Sequence, residues 1–114
     1  MDQVQRGRLH PAGAAPARGE SVETVAVVSG AVVEQMLSGA LDGPVEYLQD
    51  HDEWVVILVG GARLVVDGIT IDLSAGEWLL LPRGVPHRLE STVPGTSWLA
   101  VHGSERAAPE DRPA

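Results

Sequence analysis

The chain of 114 residues contains no cysteine, no lysine and no phenylalanine. Without cysteine there is no disulfide framework, no Cys-based zinc site and no thiol nucleophile. Without lysine, Schiff-base chemistry and the phosphate-binding loop lysine are excluded. Positive charge is scarce: eight arginines stand against 16 Asp and Glu, giving a net charge of −8. Between residues 21 and 102 the only basic side chains are Arg63, Arg83 and Arg88. A surface of this sign repels phosphate backbones and lacks the basic stripe that nucleic-acid binding needs. No apolar run approaches the roughly 18 residues of a membrane span, and the N-terminus lacks a secretory apolar stretch, so no membrane association and a cytoplasmic location are expected. What remains for chemistry is His, carboxylate, amide and a few aromatics.

The length allows one domain. Residues 1–20 and 104–114 are rich in Gly, Ala, Pro and charge and poor in apolar bulk. They read as flexible tails around a folded segment 21–103. Within that segment Gly and Pro recur at short intervals, at Gly30, Gly39, Gly43-Pro44, Gly60-Gly61, Gly68, Gly76, Pro82, Gly84, Pro86 and Pro94-Gly95. The runs between them (22–28, 31–37, 53–59, 63–66, 69–73, 77–81 and 97–102) are short, apolar and rich in β-branched residues. That spacing predicts an all-β, antiparallel sandwich or barrel. Asp67-Gly68 predicts a type I′ hairpin turn.

Two strands are apolar on both faces. If Glu53 points inward, Val55, Ile57 and Val59 follow it, leaving Trp54, Val56 and Leu58 outside. Trp78, Leu79, Leu80 and Leu81 raise the same difficulty. A solvated antiparallel sheet alternates with polar residues instead. A second subunit over the outer face, hence a homodimer, is expected; folding of the N-terminal strand over it is the alternative.

Polar chemistry concentrates in residues 47–54, Tyr-Leu-Gln-Asp-His-Asp-Glu-Trp. Were this stretch extended, Tyr47, Gln49, His51 and Glu53 would share a face. An amide oxygen, an imidazole and a carboxylate aimed into one volume suit a divalent metal such as Fe, Mn, Ni or Zn. A solvated acidic loop is the plainer reading. The second polar stretch ends in Pro82-Arg83-Gly84-Val85-Pro86-His87, a turn that fixes its histidine. His102 shares strand parity with Trp98 and Ala100; if that face is inward it would reach the same interior as an acid or base, and an edge histidine near the chain terminus is the plainer reading. Arg88 should point the opposite way from His87, to the surface.

Here a resemblance becomes specific. The two stretches look like the two motifs of the cupin superfamily, small jelly-roll barrels. Glu53, six residues and Gly60 match the second half of the family's first motif. Gly76, Pro82, Gly84 and His87 match the second motif position for position, with Ser91 where Asn is usual. The resemblance covers residues 46–91 and implies a small antiparallel cupin barrel. It also departs: the two family histidines fall on Tyr47 and Gln49, so Glu53 and His87 alone keep the family's ligand type. His51 has the parity to substitute, which would make Gln49, His51, Glu53 and His87 the metal set. Equally, it could point outward among its acidic neighbours. The resemblance implies a small-molecule pocket with Glu53 and His87 as catalytic groups, lined by Tyr47 and His102. Oxygenase, isomerase, cyclase or decarboxylase chemistry, with a metal or as metal-free acid–base catalysis, all occur on such a fold. A non-catalytic ligand- or metal-binding module and a structural dimer with a vestigial pocket are the other readings.

Overall fold

Nine strands form between residues 20 and 102 in the computed structural model, which describes residues 3–104. They are β1 (Glu20–Val28), β2 (Ala31–Ser38), β3 (Val45–Tyr47), β4 (Glu53–Val59), β5 (Gly61–Val66), β6 (Ile69–Ser74), β7 (Trp78–Leu81), β8 (His87–Thr92) and β9 (Thr96–His102). They build a five-stranded sheet in the order β1-β2-β9-β4-β7 and a four-stranded sheet in the order β3-β8-β5-β6. Every strand pairing is antiparallel. The two-sheet β sandwich read from the Gly and Pro spacing is therefore the architecture of the chain.

The core lies between the sheets. Val55, Ile57, Trp98 and Ala100 face it from one side and Ala62, Leu64, Leu73 and Leu89 from the other. Alternation along β4 puts Glu53, Val55 and Ile57 inside and Trp54 and Val56 outside. The inward series stops there. Val59, expected to continue it, is exposed because the β4–β9 register shifts between Ile57 and Val59. The Asp67-Gly68 turn has the two positive φ angles that a type I′ hairpin requires, and Ser29-Gly30 repeats them between β1 and β2.

The segment expected as an N-terminal tail is in contact with the first sheet. The buried Gln35 amide accepts from the His10 backbone N–H and donates to the His10 carbonyl, both at 2.9 Å. Gly19 N–H and the Ala40 carbonyl add a backbone bond at 2.8 Å. Arg18 bonds Asp42, and His10 Nε2 lies 2.7 Å from Glu23. The composition argument weighed apolar bulk, whereas this attachment is made by polar groups at the sheet. The expected C-terminal tail falls, from residue 105 onward, outside the described residues.

Candidate functional site

Between the sheets, at the end where β4 begins and β9 finishes, lies a cavity of about 170 Å³. Its polar lining is Glu20, Glu34, Tyr47, Gln49, Glu53, His87 and His102. Antiparallel pairing gathers most of these. Glu53 sits opposite His102 across β4–β9 and opposite Leu81 across β4–β7. Tyr47 sits opposite His87 across β3–β8, and their rings stack at 5.4 Å. Of the residues expected at the pocket, Glu53, His87, Gln49, Tyr47 and His102 all line it.

His51 does not. The expectation that residues 47, 49, 51 and 53 share a face needed a continuous strand, and the chain between Tyr47 and Glu53 is a loop. That loop is bent by backbone bonds from Gly84 N–H to the Gln49 carbonyl and from Gly103 N–H to the Asp52 carbonyl, both 2.8 Å. The Asp52 carboxylate takes a further bond from the Arg83 N–H at 2.9 Å. His51 lines a separate surface hollow with Val32, Glu34 and His102. Its Nε2 lies 2.8 Å from His102 Nδ1, and its Nδ1 lies 3.1 Å from Asp50.

Glu53 is the centre of the arrangement. Its side chain is 8% exposed, and its two oxygens lie 3.8 Å from His87 Nε2 and from His102 Nε2. Neither separation is a hydrogen bond. Burial pushes its carboxyl above the usual Glu range, partly offset by His102, His87 and His51 and reinforced by the nearby Glu34. His87 Nδ1 faces the Val85 carbonyl at 3.2 Å, so in neutral His87 the Nδ1–H donates there and the Nε2 lone pair faces Glu53. Two acceptors then confront each other across a gap that a donor can fill.

His102 is held differently. Its Nε2 lies 2.8 Å from Glu34 and its Nδ1 meets His51. The row Asp50, His51, His102, Glu34 thus has three hydrogen bonds with a carboxylate at each end. All three are made together only when the two imidazoles hold three protons between them, one positive charge in total. The row leads from the exposed Asp50 carboxylate to the cavity wall.

Tyr47 and Glu20 close the other side. The Tyr47 hydroxyl is pushed up to about 12 by its burial, then by the Glu20 and Glu53 carboxylates. At neutral pH it is a phenol and a hydrogen-bond donor. Ser38 donates to Glu20 at 2.5 Å and receives the Trp98 indole N–H at 2.9 Å. Glu20 and Glu34 were missed from sequence. The available signal was Glu34 at the centre of an apolar strand, in step with Val32 and Met36.

The donor set was tested against a bound metal. Among the described residues no group of three or more His, Asp or Glu is placed to hold one. His51 is committed to His102 and leaves the cavity, so the set Gln49, His51, Glu53 and His87 does not converge on one point.

Arg88, expected at the surface, pairs there with Glu90 at 2.8 Å.

Solved structures share this architecture. A protein of Ralstonia eutropha JMP134, provisionally named a mannose-6-phosphate isomerase, is 28% identical over 86% of this chain and 99% of its own, with a TM-score of 0.71. A cupin superfamily protein of Desulfitobacterium hafniense DCB-2 is 19% identical over 90% of this chain and 96% of its own, with a TM-score of 0.68. KdgF from Halomonas sp. is 17% identical over 74% of this chain and 79% of its own, with a TM-score of 0.64. No curated protein matches the chain. The family model described as "Cupin domain" matches residues 32–102, the stretch that holds both Glu53 and His87, and the chain belongs to that family.

Proposed function

We propose that the protein binds a small organic molecule in the Glu53 cavity and moves a proton on it, with Glu53 as base and His87, through its Nε2, accepting a hydrogen bond from the substrate. The observation that supports this most is a carboxylate more than nine-tenths buried, raised in pKa and flanked by two imidazoles at 3.8 Å. A raised carboxylate is a stronger base at neutral pH than an exposed one, and a site of this kind is worth typically 10²–10⁴ in rate. The His102–His51–Asp50 row gives the cavity a route for returning that proton to solvent. The Ralstonia relative is provisionally named an isomerase, a reaction type that moving a proton on a small molecule can serve. Cupin domains often bind metal, and no step proposed here depends on one.

The test is deuterium exchange. Hydroxyacetone and dihydroxyacetone incubated with the protein in D₂O should lose their α-proton signals in ¹H NMR spectra. Glu53→Gln should slow this by at least about 100-fold. Wild-type protein that exchanges no faster than buffer defeats the catalytic reading and leaves ligand binding without turnover, which the same cavity supports.

We also propose a homodimer formed through the outer face of β4 and β7. Trp78 and Leu80 are 58% and 55% exposed there, and Trp54 lies 6.1 Å from Trp78. An apolar patch of this kind is characteristic of an interface.

A further inference from the structure

We propose that the ligand of this cavity is a small protonated primary amine, its ammonium seated at Glu53 and its carbon skeleton against Val55, Leu64 and Leu89. The inference rests on the small-molecule reading above and adds the chemical class.

Three carboxylates, Glu20, Glu34 and Glu53, line the cavity, and no arginine does. The chain has no lysine to contribute. Against these three negative charges the only cationic groups available are the histidines, and the His51–His102 pair carries one charge when its hydrogen bonds are complete. The cavity is therefore anionic, and a phosphate or carboxylate ligand would enter without a countercharge.

Glu53 itself marks where a cation belongs. Its side chain is more than nine-tenths buried and lines the cavity, and the imidazole nitrogens flanking its oxygens, at 3.8 Å, are beyond hydrogen-bond reach. The Nε2 lone pair of neutral His87 faces the same space. An ammonium has three N–H donors and no acceptor, so one group bonds a Glu53 oxygen and His87 Nε2 together. The Tyr47 and Trp98 rings also line the cavity.

Size sets the rest of the molecule. A cavity of roughly 150 Å³ holds benzene, and this one is about 170 Å³ with mostly apolar walls. A six-carbon skeleton fits. A hexose phosphate, with more than twice the non-hydrogen atoms of benzene and a dianionic end, suits neither the volume nor the charge.

The experiment titrates the full chain, at constant ionic strength, with cyclohexylammonium chloride, cyclohexanol and mannose 6-phosphate. Binding is read from ¹H–¹⁵N shifts of the Trp98 indole and the His87 ring. Cyclohexylammonium should bind saturably and at least tenfold tighter than cyclohexanol, with mannose 6-phosphate not binding. Glu53→Gln should bring the ammonium-to-alcohol ratio to within twofold of one, and Glu34→Gln should lower it in a second background. Cyclohexanol binding as tightly as the amine, or mannose 6-phosphate binding in preference, overturns the amine assignment and leaves the cavity reading intact. If none of the three moves either reporter, the cavity reading falls as well.

Discussion

At the scale of single residues, the site is held in a costly state. Burial desolvates the Glu53 carboxylate, which opposes folding. Because folding raises its pKa, the folded chain keeps the proton at pH values where the unfolded chain has released it. Stability therefore falls as pH rises from the ordinary Glu range through the folded value, and the penalty persists above it. Glu53→Gln is expected to raise the melting temperature at pH 7.5, by about 4–8 °C for each kcal/mol recovered. The gain should shrink toward pH 4. Equal melting temperatures for wild type and variant at pH 7.5 would remove this account. The histidine row makes a second residue-level prediction. His51→Leu deletes two of its three bonds, leaving only the His102 Nε2 bond to Glu34. The His102 Nδ1 ¹⁵N shift should then change, because its partner in the row is gone. An unchanged His102 spectrum contradicts the row.

At the scale of elements, two residues tie the sheets together where β4 turns into β5. Gly60 has φ +91, and a Cβ there would lie 2.9 Å from the Thr96 Cα and closer still to its hydroxyl. Gly60→Ala is expected to cost about 2–4 kcal/mol, from backbone strain added to the clash. Thr96, fully buried at the start of β9, receives the Gly61 N–H at 3.1 Å and lies 2.6 Å from the Val93 carbonyl. Thr96→Val keeps its shape and removes both bonds, with an expected loss of about 1–3 kcal/mol measured by denaturant unfolding. Most strands were legible at this scale, because alternation and Gly spacing are local. β3 and β8 were not. Val45–Tyr47 is only three residues long, and His87–Thr92 alternates polar residues without a strong β signature. Both are strands because β5 and each other's edges supply partners.

At the scale of the whole molecule, the outer face of β4 and β7 predicts association. Light scattering should give twice the 12.0 kDa chain mass, and Trp78→Glu should return it to the monomer. A wild-type protein monodisperse at 12 kDa removes the dimer.

The sequence by itself determined the class of fold, the family motifs and which residues share a strand face with Glu53 and with His102, since each follows from a period or spacing along the chain. It also named His87, because a Pro-x-Gly-x-x-His turn carries its own geometry. Only the tertiary structure decided that His51 leaves the cavity for His102, because loop direction depends on backbone partners contributed by Gly84 and Gly103. It alone brought Glu20 and Glu34 to the pocket, from strands that cross to β9 by long-range pairing. The charge of the cavity, and with it the kind of molecule that fits, is a sum over residues far apart in the chain, and local pattern carries no record of that sum.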